Sequence, residues 1–272
     1  MVSAVAASIG AFVTQTAFVF AGNSRLFGLL QPGSGWYTNV EMSQRYASLV
    51  TPARWAFAIW GIIYTWESAA MAYLVFDPSV ASWPSLRLWI AANAFQALWS
   101  PLFATERLAL SAVALSGIAV SLVGVGISLS PNLPLLSYAV FAAPIWLHAG
   151  WTIAASIVNL NLVFGPVRGA SVDAQLSAAY LSTFAATAVG LAVVAFVPPP
   201  LPLPLVASLV WALAAIRAEI RAPDLIKTSS AYAGIGEGGR AALEQTIGLL
   251  AVALATGTVL LSAVRWASVS AV

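Results

Sequence analysis

The chain has 272 residues, 61% of them hydrophobic and 7% charged, with a net charge of +2 and a mean hydropathy of +0.91. A soluble domain carries about 25% charged residues, so this chain has too little polar surface to face water on all sides and is expected to be an integral membrane protein. It has no cysteine, which excludes disulfides, thiolate metal sites and cysteine nucleophiles, and no basic run of the kind that binds nucleic acid.

Crossing about 30 Å of hydrocarbon takes about 20 apolar residues of helix. The hydropathy pattern predicts eight spans: Ser3 to Gly22, Pro52 to Phe76, Leu86 to Ala104, Leu108 to Leu129, Pro134 to Phe164, Asp173 to Val197, Leu205 to Ile220 and Leu243 to Trp266. Asp77-Pro78 ends the second span, because proline disfavours helix at the residue before it. Pro198-Pro199-Pro200 predicts a stiff extended connector. Pro144 leaves room for a kink in the fifth span. The long loop 23–50 has space for a short interfacial helix. The loop 221–242 holds the glycine cluster Gly234 to Gly239, which follows no strand and is expected to be a flexible turn rather than a phosphate-binding loop.

With eight spans, nine of the eleven basic residues fall on one side: Arg25, Arg45, Arg54, Arg107, Arg168, Arg217, Arg221, Lys227 and Arg240. Only Arg87 and Arg265 fall on the other. The positive-inside rule then places both termini on the non-cytoplasmic side, in a bacterial inner membrane or a mitochondrial or plastid membrane. Arg54, Arg87 and Arg107 are expected to reach lipid headgroups. Tryptophans concentrate before Phe164, which suggests a tryptophan-rich five-helix unit, 3–164, followed by a plainer three-helix unit, 171–266.

Four polar side chains from three spans share the middle of the membrane: Glu67, Asn93, Gln96 and His148, the only histidine. Intramembrane ionisable groups are costly and mark functional sites by default. They are open to three uses: interhelical glue, ligand contact, or a proton relay between Glu67 and His148. Trp36, Trp55, Trp83 and Trp266 lie near span ends, where indoles anchor at the interface. Trp60, Trp99, Trp146 and Trp151 lie deeper, where they either pack helices or line a pocket for a flat, greasy ligand.

The first five spans resemble the TspO/translocator protein family. The match is carried by Pro52, Trp55, Trp60-Gly61, Tyr64 and Tyr73-Leu74-Val75 in the second span. It continues in Ala94 to Phe103 of the third, followed by Arg107, and in Trp151, Ala155 and Asn159 of the fifth. Gln96 stands where the family has asparagine, and Glu67 where a small or apolar residue is usual. The tyrosine and basic residue of the family's sterol motif are missing from Val158 to Phe164. The resemblance implies an all-α, five-helix membrane bundle, here with three additional C-terminal helices. It also implies an aromatic ligand pocket formed by Trp60, Tyr64, Trp99 and Trp151; the mid-membrane residues Glu67, Gln96 and His148, and Asn159 of the fifth-span match, are the further candidate ligand contacts. The ligand implied is a porphyrin, haem precursor or other lipid-like molecule, bound for transport, sensing or scavenging. No cofactor is obligatory; haem or chlorophyll would be held with His148 or Glu67 as axial ligand. The alternative is an accessory, pigment-bearing subunit of a larger membrane complex; a homodimer is a further expectation. No catalytic motif is present, so enzymatic activity is not expected.

Overall fold

The computed structural model describes residues 2–24, 33–198 and 202–270, and among these it is an all-helical membrane bundle without strands. Eight long helices form it: α1 (Val2–Ser24), α2 (Ile59–Phe76), α3 (Trp83–Ala104), α4 (Leu108–Ile127), α5 (Ala143–Leu162), α6 (Val172–Phe196), α7 (Leu203–Arg221) and α8 (Gly236–Ser270). Seven are long and apolar enough to cross a membrane. The other, α3, matches them in length but carries Arg87, Asn93 and Gln96; it packs between α1 and α4 as a full member of the bundle. The expected connector residues Pro199 and Pro200, and Arg25 in the first loop, lie outside the described residues.

Local sequence explains most boundaries. α3 starts at Trp83 rather than Leu86, because Ser82 and Ser85 form a reciprocal capping box and Pro84 fits the first turn. α2 is entered through a 3-10 turn, Arg54–Ala58, in place of the uniform helix expected from Pro52. The interfacial helix expected in the first loop is Asn39–Arg45, capped by Thr38 and Glu41. At α5, a π-helical turn, Tyr138–Ala142, precedes Pro144. Proline lacks an N–H and its ring crowds the carbonyl four residues back, so the chain absorbs an extra residue there. A second π turn, Val163–Val167, surrounds Pro166. The glycine cluster differs from expectation. A short helix ends at Gly234, Gly236 at φ +63° begins α8, and Gly238 and Gly239 already lie inside it.

In lipid, helices associate through close packing and polar contacts rather than through hydrophobic gain. α5 is the central staff: every residue from Ala143 to Thr152 is buried, whereas much of α8 is exposed. It packs on α4 along one side and on α7 along another. The α5–α7 crossing depends on Gly150, where an added Cβ would overlap Ser208 Oγ and the Leu205 carbonyl. α6 and α8 complete the bundle beyond α7, and a single apolar core runs from α1 to α8. α2 makes less extensive apolar contact with α5 and is clasped by polar bonds. Trp66 Nε1 donates to the Ala139 carbonyl at 3.0 Å, and the Tyr73 and Ser137 hydroxyls are 3.0 Å apart.

Because the atoms facing Gly150 include main chain, α7 must shift to admit a side chain. Gly150→Ala is expected to cost about 1–3 kcal/mol, read as a lowered thermal midpoint in detergent. An unchanged midpoint would contradict the close crossing.

Candidate functional site

The site lies in the half of the bundle nearest the basic loops. Its roof is the segment that follows the interfacial helix. The Ala53 N–H donates to the Ala215 carbonyl at 3.0 Å, and Trp211 Nε1 donates to the Ala56 carbonyl at 3.1 Å. Arg54, expected at headgroups, instead binds Asp224 at 3.1 Å. That hydrogen bond holds the Asp224 carboxyl below its usual range. Asp224 is presented by a loop whose N–H groups, at Asp224, Leu225 and Ile226, all donate to Glu219 Oε1. Glu219 is 1% exposed, so this carboxylate serves as an internal cap. On the other flank, Tyr46 OH donates to Glu106 at 2.9 Å, and Arg45 pairs with the same carboxylate.

Beneath the roof, Trp60 sits at the centre of an aromatic cage. It stacks on Tyr64 with centroids 5.5 Å apart and on Trp99 at 5.8 Å. It meets the rings of His148 at 5.6 Å and Trp151 at 6.1 Å nearly at right angles. Phe103 extends the stack beyond Trp99, and Phe57 meets Trp151 edge to face. Gln96 Nε2 donates to Tyr64 OH at 3.3 Å, which ties α3 to α2. Two voids adjoin Trp60. One is a crevice of about 40 Å³ between α2, α3, α5 and α7, lined by Trp99, Trp151, Ala155, Asn159 and Ala212 among others. The other is a cleft of about 380 Å³ between α1 and α2. Asn39, Phe57 and Trp60 line both.

Deeper than the crevice, Glu67 of α2 and His148 of α5 face each other. His148 Nδ1 lies 2.8 Å from Glu67 Oε1, with the residues 4% and 0% exposed. Their outer atoms, Glu67 Oε2 and His148 Nε2, have no protein partner among the described residues. The same holds for Gln96 Oε1 and for the indole N–H groups of Trp99 and Trp151. Buried polar groups are normally satisfied, and these five unpaired atoms gather around one ring.

Seven of the eight residues expected at the site therefore meet in one cage: Trp60, Tyr64, Glu67, Gln96, Trp99, His148 and Trp151. Asn159 stands two turns further along α5, where it lines the crevice and accepts from Ser111 Oγ at 3.4 Å. Asn93 stays apart, donating to the Trp89 carbonyl one turn back. Sequence reasoning missed the contributions of Phe57, Phe103, Ala212 and Ile216. Trp55, expected at the interface, is 46% exposed at the start of the α2 span and also meets the Trp211 ring of α7 at 4.8 Å. No cluster of three or more histidine, cysteine or acidic side chains exists among the described residues.

Removing one member of a buried pair leaves the other without its partner and typically costs about 3–5 kcal/mol. Glu67→Ala and His148→Ala are each expected to lower thermal stability by that order. The double replacement should cost clearly less than the sum. Additive losses would contradict an energetic link between the two.

Comparison with known proteins adds one finding. A family profile described as TSPO-like protein matches residues 13–263. The match runs through the three C-terminal helices as well as the tryptophan-rich half. No curated protein and no solved structure matches the chain. With most of its length covered by that profile, and with an all-α membrane bundle as its fold, the chain belongs to the TSPO-like protein family.

Proposed function

We propose that this membrane protein binds a flat hydrophobic ligand, of the porphyrin or tetrapyrrole class or similarly lipid-like, at the aromatic cage around Trp60, for transport, sensing or scavenging. The observation that carries this reading is the pairing of stacked aromatic faces with unpaired indole N–H donors on Trp99 and Trp151. Ligand sites of this kind are mostly apolar, with a few polar groups that set orientation. Apolar faces hold a planar ring by stacking, and the two indoles suit acceptor atoms on its rim. Glu67 and His148 support the cage from behind: both are buried, and neither lines the crevice or the cleft. In this reading the ring is held by stacking, not by an axial side chain.

A second reading has one observation in its favour. His148 Nδ1 is held by a carboxylate while Nε2 is unpaired, as in histidines that ligate metals. A pigment-bearing subunit of a larger assembly would use that nitrogen on the metal of haem or chlorophyll. The strong basic bias of one set of loops supports termini on the non-cytoplasmic side.

Protoporphyrin titrated into the purified protein in nanodiscs is expected to quench tryptophan fluorescence saturably. Trp151→Phe keeps an aromatic ring and removes one donor. It should weaken binding by up to about tenfold, the worth of one buried hydrogen bond. Unchanged affinity would remove Trp151 from the site. Co-purification of pigments and further subunits, without quenching, would favour the second reading.

A further inference from the structure

The two voids beside Trp60 differ in size by an order of magnitude. The crevice, at about 40 Å³, has room for a few waters, each needing about 10–15 Å³ on this kind of measure. A drug-sized ligand occupies a pocket of about 300–1,000 Å³. The cleft between α1 and α2, at about 380 Å³, falls in that range. We infer that the body of the ligand sits in this α1–α2 cleft, on the outer side of Trp60, and reaches it sideways from the bilayer. The inference rests on the proposed hydrophobic-ligand function and changes where in the protein the ligand is held: its body lies in the cleft, and only its inner edge reaches toward the Trp99 and Trp151 donors, which line the crevice.

Four observations support the placement. First, the cleft is continuous with the cage: Asn39, Phe57 and Trp60 are shared walls, and Tyr64, stacked on Trp60, faces the cleft as well. Second, its lining is mainly apolar or aromatic, from Val19 and Phe20 of α1 to Trp60 and Tyr64 of α2, with Asn23 and Asn39 at the end near the interfacial helix. Asn23 Oδ1 accepts the Asn39 N–H at 3.1 Å and so bridges α1 to that helix. A molecule with an apolar ring system and polar substituents at one edge matches this gradient. Third, α1 rests mainly on α3 and makes little contact with α2, so the gap between α1 and α2 is not closed by helix packing. Fourth, the floor of the cleft is Gly61. It is exposed, and a Cβ added there would meet nothing within 4 Å. Ile62, beside it, is 51% exposed, on a face that in the membrane meets lipid. The crevice, by contrast, lies beneath a roof tied to α7 and to the Asp224 loop.

The occupant is thus a planar, lipid-soluble molecule that partitions into the bilayer first, rather than a water-soluble one arriving through the loops. Stacking against Trp60 from the cleft is expected to quench that tryptophan.

The test fills each void separately and reads protoporphyrin affinity by fluorescence quenching in nanodiscs. Gly61→Phe and Thr65→Phe occupy the cleft; Thr65 is exposed and keeps the test available if Gly61→Phe does not fold. Ala155→Leu occupies the crevice. Thermal midpoints establish that each variant is folded. The expected result is a rise in Kd of roughly fivefold or more for the folded cleft variants. A smaller change in the cleft variants overturns the inference. If Ala155→Leu then loses binding, the ligand lies in the crevice and the proposed function stands. Absence of saturable quenching in the unaltered protein overturns both.

Discussion

A carboxylate at the centre of a bilayer must have a partner, and the hydrogen bond between Glu67 and His148 is the constraint on which the inner half of this bundle depends. Desolvating either group alone is expensive. His148 Nδ1 and Glu67 Oε1 lie 2.8 Å apart, so each buried group has the other as its hydrogen-bond partner. The bond also has a geometric effect. α2 buries Ile59, Ile63, Met71 and Leu74 in the core, and directional contacts fix its rotation and depth: Trp66 to Ala139, Tyr73 to Ser137 and Glu67 to His148. With α2 fixed in this way, Trp60, two turns before Glu67, is brought against Trp99 of α3 and Trp151 of α5.

The cage follows from that placement. Trp60 and Tyr64 are one helical turn apart and stack on each other, Gln96 bonds the Tyr64 hydroxyl, and Trp99 of α3 stacks on Trp60 as well. α7 closes the far side through Ala212 and Ile216. The C-terminal helices therefore share in the site: α7 lines the crevice, its Trp211 holds the 3-10 turn before α2, and Glu219 organises the loop that engages Arg54. A family match that extends through residue 263 agrees with this sharing.

Much of this was legible in the sequence because membranes impose simple rules. Twenty-residue apolar runs revealed the helices, and mid-span polar residues drew attention to Glu67, Gln96 and His148. The W-x4-W-G-x2-Y spacing beginning at Trp55 identified the face of α2 that carries Trp60 and Tyr64. What stayed hidden depends on packing between distant segments. Nothing local to Ala212 or Ile216 marks them as site walls, because small and aliphatic residues look alike wherever they fall in a span. Trp55 lies exposed at a span end, as the interface reading expects, but its edge contact with Trp211, 156 positions later, is not visible in either local stretch. The π turns at α5 were only half visible. Pro144 signalled a disturbance, but the added residue is a register effect that composition does not encode. The start of α8 was misplaced because glycine density suggested a turn, whereas only Gly236 adopts a positive φ there.

The central claim is that Trp60 is the ring against which a planar ligand is bound. A structure determined with protoporphyrin bound in a lipid nanodisc tests it most directly. The account predicts macrocycle density within stacking distance of Trp60, with Tyr64 beside it and the Glu67–His148 hydrogen bond intact. Macrocycle density elsewhere on the bundle, or an axial bond from His148 to the metal when a metalloporphyrin is used, would contradict it.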